Sequence, residues 1–251
     1  MIHINSLHVD ERLLPLSFTC QPGEVVHIVG PNGSGKSTLL SALSGIIDSK
    51  GDVLCDDIDL THCALKELAL RRAYLSQNEK PAFNLDVFQY LALSVPECTS
   101  LYDPEVAKVV KLLTGLLKVS DKLHRSIHQL SGGEWQRVRL AGSCLQIWPT
   151  LNPYAKLLIL DEPGAALDIA QEGLLYQLID NVADMGLTVI MANHDLNRSL
   201  RHADKVLLLE QGIVQCFGTP ESVLSEENLR KVFDTSVKSV LVEGKPYLIF
   251  D

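Results

Sequence analysis

Two segments of this chain carry residues spaced for phosphate and metal chemistry. The first, Gly30-Pro31-Asn32-Gly33-Ser34-Gly35-Lys36-Ser37-Thr38, has the form G-x-x-x-x-G-K-[ST]. Its glycines let the backbone fold into a concave nest at the start of a helix, with N–H groups pointing inward at phosphate oxygens. Lys36 reaches the β- and γ-phosphates of a bound nucleotide, the Ser37 hydroxyl is a ligand for Mg²⁺, and Thr38 helps seat the loop. The second segment, Leu157-Leu158-Ile159-Leu160-Asp161-Glu162-Pro163, is an apolar run ending in two carboxylates. Neighbouring strand residues point to opposite faces, so the pair has two roles to offer. Asp161 is assigned to Mg²⁺ and Glu162 to orienting and polarising an attacking water.

A third segment, Leu130-Ser131-Gly132-Gly133-Glu134, places a serine and two glycines ahead of a good helix. Taken alone it is an ordinary N-cap. Beside a phosphate loop it is also a second anion-binding helix start. One chain with one nucleotide does not need two such starts; a dimer does, if Ser131, Gly132 and Gly133 of each copy cover the nucleotide held by the other.

The elements that position these residues are legible from apolar periodicity. Val25–Val29, Leu157–Leu160, Val189–Ala192 and Val206–Leu209 are short Val/Ile/Leu runs bounded by turn residues, the pattern of strands buried on both faces of a helix-covered parallel sheet. Three of them deliver polar residues at their carboxyl ends, where open α/β sheets bind ligands. Lys36–Ser44 reads as a helix. The first 24 residues and Gly51–Leu60 alternate like an antiparallel edge sheet. Phe88–Leu93, Pro104–Leu117 and Glu134–Ile147 have helical spacing, which marks a mostly helical subdomain at about 84–145. From about 205 to 251 come a hairpin turning near Gln211-Gly212, a helix over Pro220–Phe233, and a last hairpin turning at Gly244.

The 251 residues carry a formal net charge of −9, which argues against nucleic acid as a partner, because phosphate neutralisation needs clustered Lys and Arg. No apolar stretch approaches the length of a membrane span, and the N-terminus lacks the pattern of a signal peptide. The expectation is a soluble, cytoplasmic chain that meets a membrane only through a partner. The six cysteines show neither C-x-x-C nor zinc-finger spacing and read as reduced structural thiols.

With these motifs in order, the sequence resembles the ABC ATPase family over essentially its whole length. The phosphate loop Gly30–Thr38 is its Walker A, and Gln77 in Ser76-Gln77 its Q-loop. Leu130–Glu134 is its signature, Leu157–Glu162 its Walker B, Ala166-Leu167-Asp168 its D-loop and His194 its H-switch. The resemblance implies an α/β fold: a P-loop NTPase core with a mostly parallel sheet, an N-terminal antiparallel β subdomain and an inserted α-helical subdomain. It implies ATP and Mg²⁺ as ligands, and a head-to-tail dimer with two ATP molecules at the interface. Ser131 and Gly133 then contact the γ-phosphate held by the partner's phosphate loop. Gln77 lies at the Mg²⁺ and water site and senses the γ-phosphate. Asp168 touches the partner, and His194 hydrogen-bonds the γ-phosphate and keeps the attacking water in place.

The sequence departs from the family in three places. No aromatic residue stands near Asp10-Glu11-Arg12-Leu13 to stack on adenine; Arg12 either stacks through its guanidinium or is a solvated turn residue. The signature ends in Glu134 where Gln is common. The stretch between the signature and Walker B, which contains Leu145-Gln146-Ile147-Trp148-Pro149 and Asn152-Pro153, is longer than usual and reads as a surface-loop insertion. Trp135 and the arginines Arg137 and Arg139 read as ordinary amphipathic-helix residues.

Within the family the chain is most similar to the importer branch that handles iron chelates, haem and cobalamin, and there to the ATPases of cobalamin importers. Carrying this are Arg72–Gln77, Gln129–Ala141, the Pro-containing insertion and the tail from Gly218 to Phe233. The resemblance implies two copies bound beneath two copies of a membrane permease, at the cytoplasmic face of a bacterial inner membrane. A periplasmic binding protein delivers the cargo. A short permease helix docks near Gln77 and Pro81–Asp86. The rivals are an iron-siderophore or haem importer ATPase and a non-transport ABC ATPase. A binding module with a dead site is opposed by Lys36, Asp161, Glu162 and His194.

Overall fold

The computed structural model describes residues 1–56, 58–77 and 80–250. Asp57, inside the expected edge-sheet segment, and Asp251, the last residue of the expected C-terminal extension, lie outside the described residues. The chain divides into two compact units, Met1–His62 with Ile190–Asp251, and Cys63–Val189.

The first unit opens with β1 (Ile2–Val9), β2 (Leu13–Cys20), β3 (Val25–Val29), α1 (Lys36–Leu43), β4 (Lys50–Cys55) and β5 (Ile58–Asp59). The second unit contains α2 (Leu65–Arg71), β6 (Arg72–Leu75), α3 (Val87–Leu93), α4 (Pro104–Leu116), α5 (Gly132–Ile147), β7 (Leu157–Asp161) and α6 (Ile169–Asp184). Strand β8 (Thr188–Ala192) carries the chain back to the first unit. There follow α7 (Leu196–His202), β9 (Lys205–Glu210), β10 (Ile213–Gly218), α8 (Pro220–Val223), α9 (Glu226–Phe233), β11 (Val237–Val242) and β12 (Lys245–Phe250).

In the first unit an antiparallel sheet runs in the order β2-β1-β4-β5. Strand β1 buries Ile2, Ile4, Leu7 and Val9; the step out of alternation between Ile4 and Leu7 is a register shift, with Ser6 at φ 49°. Strand β3 pairs in parallel with β9, which pairs antiparallel with β10. All five residues of β3 are buried, as a strand covered on both faces requires. Both C-terminal hairpins turn through two residues with positive φ, Gln211-Gly212 and Glu243-Gly244, the I′ geometry that matches the strand twist. The helix expected over Pro220–Phe233 is instead two helices. Ser225 accepts a hydrogen bond from the Asn228 amide and starts α9 afresh with Glu226 and Glu227 in its first turn. The two helices, with α7 and β9, enclose an apolar core that includes Leu200, Val206, Leu208, Val223 and Leu229.

In the second unit β6 pairs in parallel with β7, matching Leu75 to Leu160. Helix α5 is not amphipathic: it is buried from Trp135 through Gly142, including Gln136, Arg137 and Arg139. The segment after α5, expected as a surface loop, is anchored. Leu151 and Asn152 are buried, and the Asn152 amide donates to the carbonyls of Leu70 and Gln146 while Gln146 Nε2 donates to that of Ala69. A side-chain amide replaces the ladder bonds that a buried, irregular backbone lacks.

All six cysteines are thiols, and burial pushes those of Cys20 and Cys144 up to about 12, which leaves them inert. Among the described residues no helix is long and apolar enough to cross a membrane.

Candidate functional site

In the first unit, β3 ends at Val29 and the chain turns through Gly30–Gly35 into α1. Each glycine has its own reason. Gly30 has φ 156° and its backbone passes so close to β9 that a Cβ would lie 2.0 Å from the Leu209 carbonyl oxygen. Gly33, at φ 77°, faces open space and is needed for its backbone angle. Gly35, at φ 103°, is the N-cap of α1, and a Cβ there would come within 3.3 Å of the Arg12 carbonyl oxygen. The loop is held from behind, where the Gly212 amide donates to the Ser34 carbonyl at 2.9 Å.

The result is a cradle of backbone N–H groups at a helix start, a donor set that fits a polyphosphate. Lys36 is almost wholly buried and its Nζ donates to the carbonyls of Gly30 and Pro31, at 2.8 and 3.0 Å, so the ammonium is held across the cradle's rim. Asn32 and Gly33 are exposed on the loop, and Ser37 and Thr38 are half-buried at the first turn of α1. The exposed His194 stands at the carboxyl end of β8, in the turn that Asp195 closes by capping α7 through the Arg198 amide.

In the second unit the parallel register of β6 and β7 brings their carboxyl ends side by side. A cavity of about 220 Å³ there is lined by Ser76, Gln77, Gln136, Arg139, Asp161 and Glu162, with Ala165 and Ala166. Asp161 is the last residue of β7 and is buried. Glu162 is no longer on the strand: its φ is 50°, in the left-handed region, immediately before Pro163. The expectation that strand alternation sends the two carboxylates to opposite faces is therefore corrected. The strand stops at Asp161, the turn re-aims Glu162, and both line one cavity. A glutamate held left-handed before a proline is a strained conformation of the kind that clusters at active sites. Among the lining residues, the carboxylates of Asp161 and Glu162 and the amide of Gln77 supply hard oxygen donors of the kind Mg²⁺ takes.

Sequence reasoning missed the residues that brace this cavity. Arg139 donates from Nη2 to the Ser76 carbonyl at 2.6 Å and from Nη1 to Gln136 Oε1 at 3.1 Å. Gln136 Nε2 in turn donates to the Pro163 carbonyl at 2.9 Å. The backbones beside Gln77 and Glu162 are thus fixed to one helix by a single chain of hydrogen bonds. The available signal was an arginine and a glutamine among Val, Leu and Ala on a helix with no polar face.

Ser131 is the N-cap of α5 and forms a capping box. Its hydroxyl accepts from the Glu134 amide and its own amide donates to Glu134 Oε2 at 2.9 Å. Either Glu or Gln fills that place, which explains the departure at the end of the signature. The hydrogen bonds to Ser131 are the main cause of a carboxyl pKa lowered below the usual range, with Lys122 adding its charge 3.4 Å away. Gly133 is packed: a Cβ would meet Gln171 Oε1 at 2.6 Å. Gly132 has nothing within 4 Å and leaves its face of the helix start open. Asp168 caps α6, accepting from the Gln171 amide at 2.8 Å.

Residues 13–165 match the family described as ABC transporter. The chain is 62% identical over 251 residues, all of both chains, to the vitamin B12 import ATP-binding protein BtuD of Vibrio atlanticus (strain LGP32). It is 61% identical, again over all of both chains, to the protein of the same name from Vibrio cholerae serotype O1 (strain M66-2). Among solved structures, its fold is like that of a metal-chelate type ABC transporter in an inward-facing conformation, with a TM-score of 0.79, 22% identity, and coverage of 100% of this chain and 96% of that one. It is also like CbiO1 of Clostridium perfringens, with a TM-score of 0.75, 25% identity and 92% of each chain covered.

Proposed function

This chain belongs to the ABC transporter family, and from that we propose that it binds and hydrolyses ATP as the motor subunit of a vitamin B12 importer. The observation that carries the cargo is the identity of 62% across the entire length of a vitamin B12 import ATP-binding protein.

In this reading the Gly30–Thr38 cradle binds the triphosphate, and Lys36 leaves the carbonyls of Gly30 and Pro31 for the β- and γ-phosphate oxygens. Ser37, Gln77 and Asp161 would hold Mg²⁺, and the ion would supply positive charge against that of the phosphates. Glu162 accepts a hydrogen bond from the attacking water and draws its proton away as the oxygen closes on the γ-phosphorus, while the bond from that phosphorus to the β–γ bridging oxygen breaks and ADP leaves with the electron pair. His194 hydrogen-bonds the γ-phosphate and holds that water in line. Loose phosphoryl transfer leaves little covalent work to a protein, so positioning and charge supply the rate.

Two copies act head to tail. Ser131, Gly132 and Gly133 of one complete the site of the other, and Asp168 meets the partner beyond its cap. Support for this comes from the open face at Gly132 and the exposed N-cap of α5. The helical segment 84–145, with Gln77 and Pro81–Asp86, receives a permease helix. Two permease copies and a periplasmic binding protein complete the importer at the cytoplasmic face of the inner membrane. ATP binding closes the dimer and hydrolysis reopens it.

The test is uptake of radiolabelled vitamin B12 by cells lacking this gene. Loss of corrinoid uptake with ferric-chelate uptake intact is expected. Normal corrinoid uptake together with lost ferric-chelate uptake would make the chain an iron-chelate importer's motor instead.

A further inference from the structure

Strand β3 carries His27 in the middle of Val25-Val26-His27-Ile28-Val29, a run that is otherwise wholly aliphatic. The imidazole is completely buried. A polar ring in such a place costs stability unless its nitrogens are bonded. Its Nδ1 lies 3.0 Å from the Ser199 hydroxyl and 3.4 Å from Asn193 Nδ2.

The direction of these bonds follows from their neighbours. The Asp195 amide donates to Asn193 Oδ1 at 3.1 Å, which fixes the Asn193 side chain with its NH₂ toward the imidazole. With the NH₂ turned that way, Nδ1 is assigned as the acceptor and Nε2 as the nitrogen carrying the ring proton. Burial agrees, holding the imidazole neutral with a pKa lowered to about 3. The Ser199 hydroxyl is also 3.1 Å from the Asp195 carbonyl oxygen, and the Asn193 amide donates to the Ile28 carbonyl at 3.0 Å.

His194 thus directly follows Asn193, the residue whose side chain the imidazole ties down. The strand bearing that imidazole runs straight into the phosphate cradle at Gly30. We propose that His27 is a positioning residue for His194: it sets the turn 193–195 relative to the phosphate loop, so that the His194 ring meets the γ-phosphate in the orientation hydrolysis needs. This rests on the reading of His194 as the γ-phosphate contact. A leucine at 27 would fill the core equally well but would remove the acceptor that Nδ1 offers to the Asn193 NH₂.

The test is steady-state ATP hydrolysis and nucleotide affinity of the full chain, comparing His27→Leu, His27→Asn, Asn193→Ala and the His27→Leu/Asn193→Ala double variant. His27→Leu is expected to lower kcat about tenfold while nucleotide affinity stays within about twofold. His27→Asn, whose Oδ1 falls where Nδ1 was, is expected to restore most of the rate. The double variant is expected to be no slower than the worse single one. Parental kcat in His27→Leu, equal rates for the Leu and Asn variants, or additive losses in the double variant would each overturn the proposal.

If His27→Leu fails to hold nucleotide, Asn193→Leu decides, since it keeps His27 in the core. A tenfold loss of kcat at unchanged affinity supports the proposal, and an unchanged kcat overturns it. Failure of the ATPase reading is separately visible: the parent chain, or the parent and His194→Ala alike, would then show no hydrolysis above background.

Discussion

The Arg139 guanidinium donates to the backbone carbonyl of Ser76 at 2.6 Å from inside a helix where it is almost completely buried. A buried charge is tolerated only when its donors are used, and this one spends them on the residue before Gln77 and on Gln136. Arg139 therefore braces the cavity containing Gln77, Asp161 and Glu162. Arg139→Ala is expected to lower kcat by about tenfold to a hundredfold with nucleotide affinity retained. Arg139→Lys is expected to restore little, because an ammonium lacks the planar fork. Single-turnover hydrolysis alongside equilibrium nucleotide binding checks both. Affinity falling in step with kcat would mean that the cavity had collapsed.

How far the sequence foretells this arrangement differs by residue. The apolar runs that become β3, β7 and β8 are legible because strands buried on both faces leave a plain signal of short Val/Ile/Leu stretches. The phosphate loop is legible because its glycines answer to backbone geometry, which motif spacing records. His27, Gln136 and Arg139 are not legible: a polar residue in an apolar segment shows its purpose only through partners distant in sequence, such as Ser199 for His27. Glu162 is half legible. Its chemistry follows from its type, but its direction comes from a left-handed turn that strand alternation cannot anticipate. The segment after α5 reads as a loop because Asn152 anchors it through a side-chain amide, a device without periodicity.

Glu162→Gln keeps the size and the left-handed turn and removes the base. Nucleotide binding is expected to stay intact while turnover drops by about 10²–10⁴-fold, the range a general base contributes. The trapped triphosphate should also favour the closed dimer, seen as an earlier elution volume with ATP present. Normal hydrolysis would remove Glu162 from the role of base.

His27 makes stability depend on pH in a known direction. Its folded pKa lies near 3, against an ordinary value of 6.5, with desolvation as the main cause and the charge of His202 second. Below pH 6.5 the unfolded chain takes up a proton that the folded chain refuses. The stability contributed by neutral His27 is fully present above pH 6.5 and is lost as pH falls toward 3, at up to about 1.4 kcal/mol per pH unit. The thermal midpoint of the parent should thus fall more steeply between pH 6.5 and 5 than that of His27→Asn or His27→Leu. Parallel curves would show that His27 does not titrate on unfolding.

The Arg12 carbonyl lies against Gly35 and Gly212, so the β1–β2 turn is fixed beside the phosphate cradle while the Arg12 residue stays exposed. That placement favours the guanidinium as the stacking surface for adenine over a solvated turn residue. Arg12→Ala is expected to raise KM for ATP by about twofold to fivefold at unchanged kcat, the size of an exposed cation–π contact. An unchanged KM would return Arg12 to the role of turn residue.

The proposed dimer turns on Ser131. Its hydroxyl already accepts from the Glu134 amide, and its exposed position at the start of α5, next to the open face of Gly132, leaves that helix end ready for an anion from outside the chain. Ser131→Arg removes the cap and fills the open face with a bulky cation. Nucleotide should still bind at the phosphate cradle, which lies in the other unit, at close to parental affinity. The ATP-dependent dimer should not form, and hydrolysis should fall with it. Loss of the cap costs about 1 kcal/mol, so the variant is expected to remain folded and the loss of dimer to be specific. Light scattering in the Glu162→Gln background, with and without Ser131→Arg, reads the outcome directly. A stable ATP dimer of the double variant would mean that the Ser-Gly-Gly corner covers no partner's nucleotide.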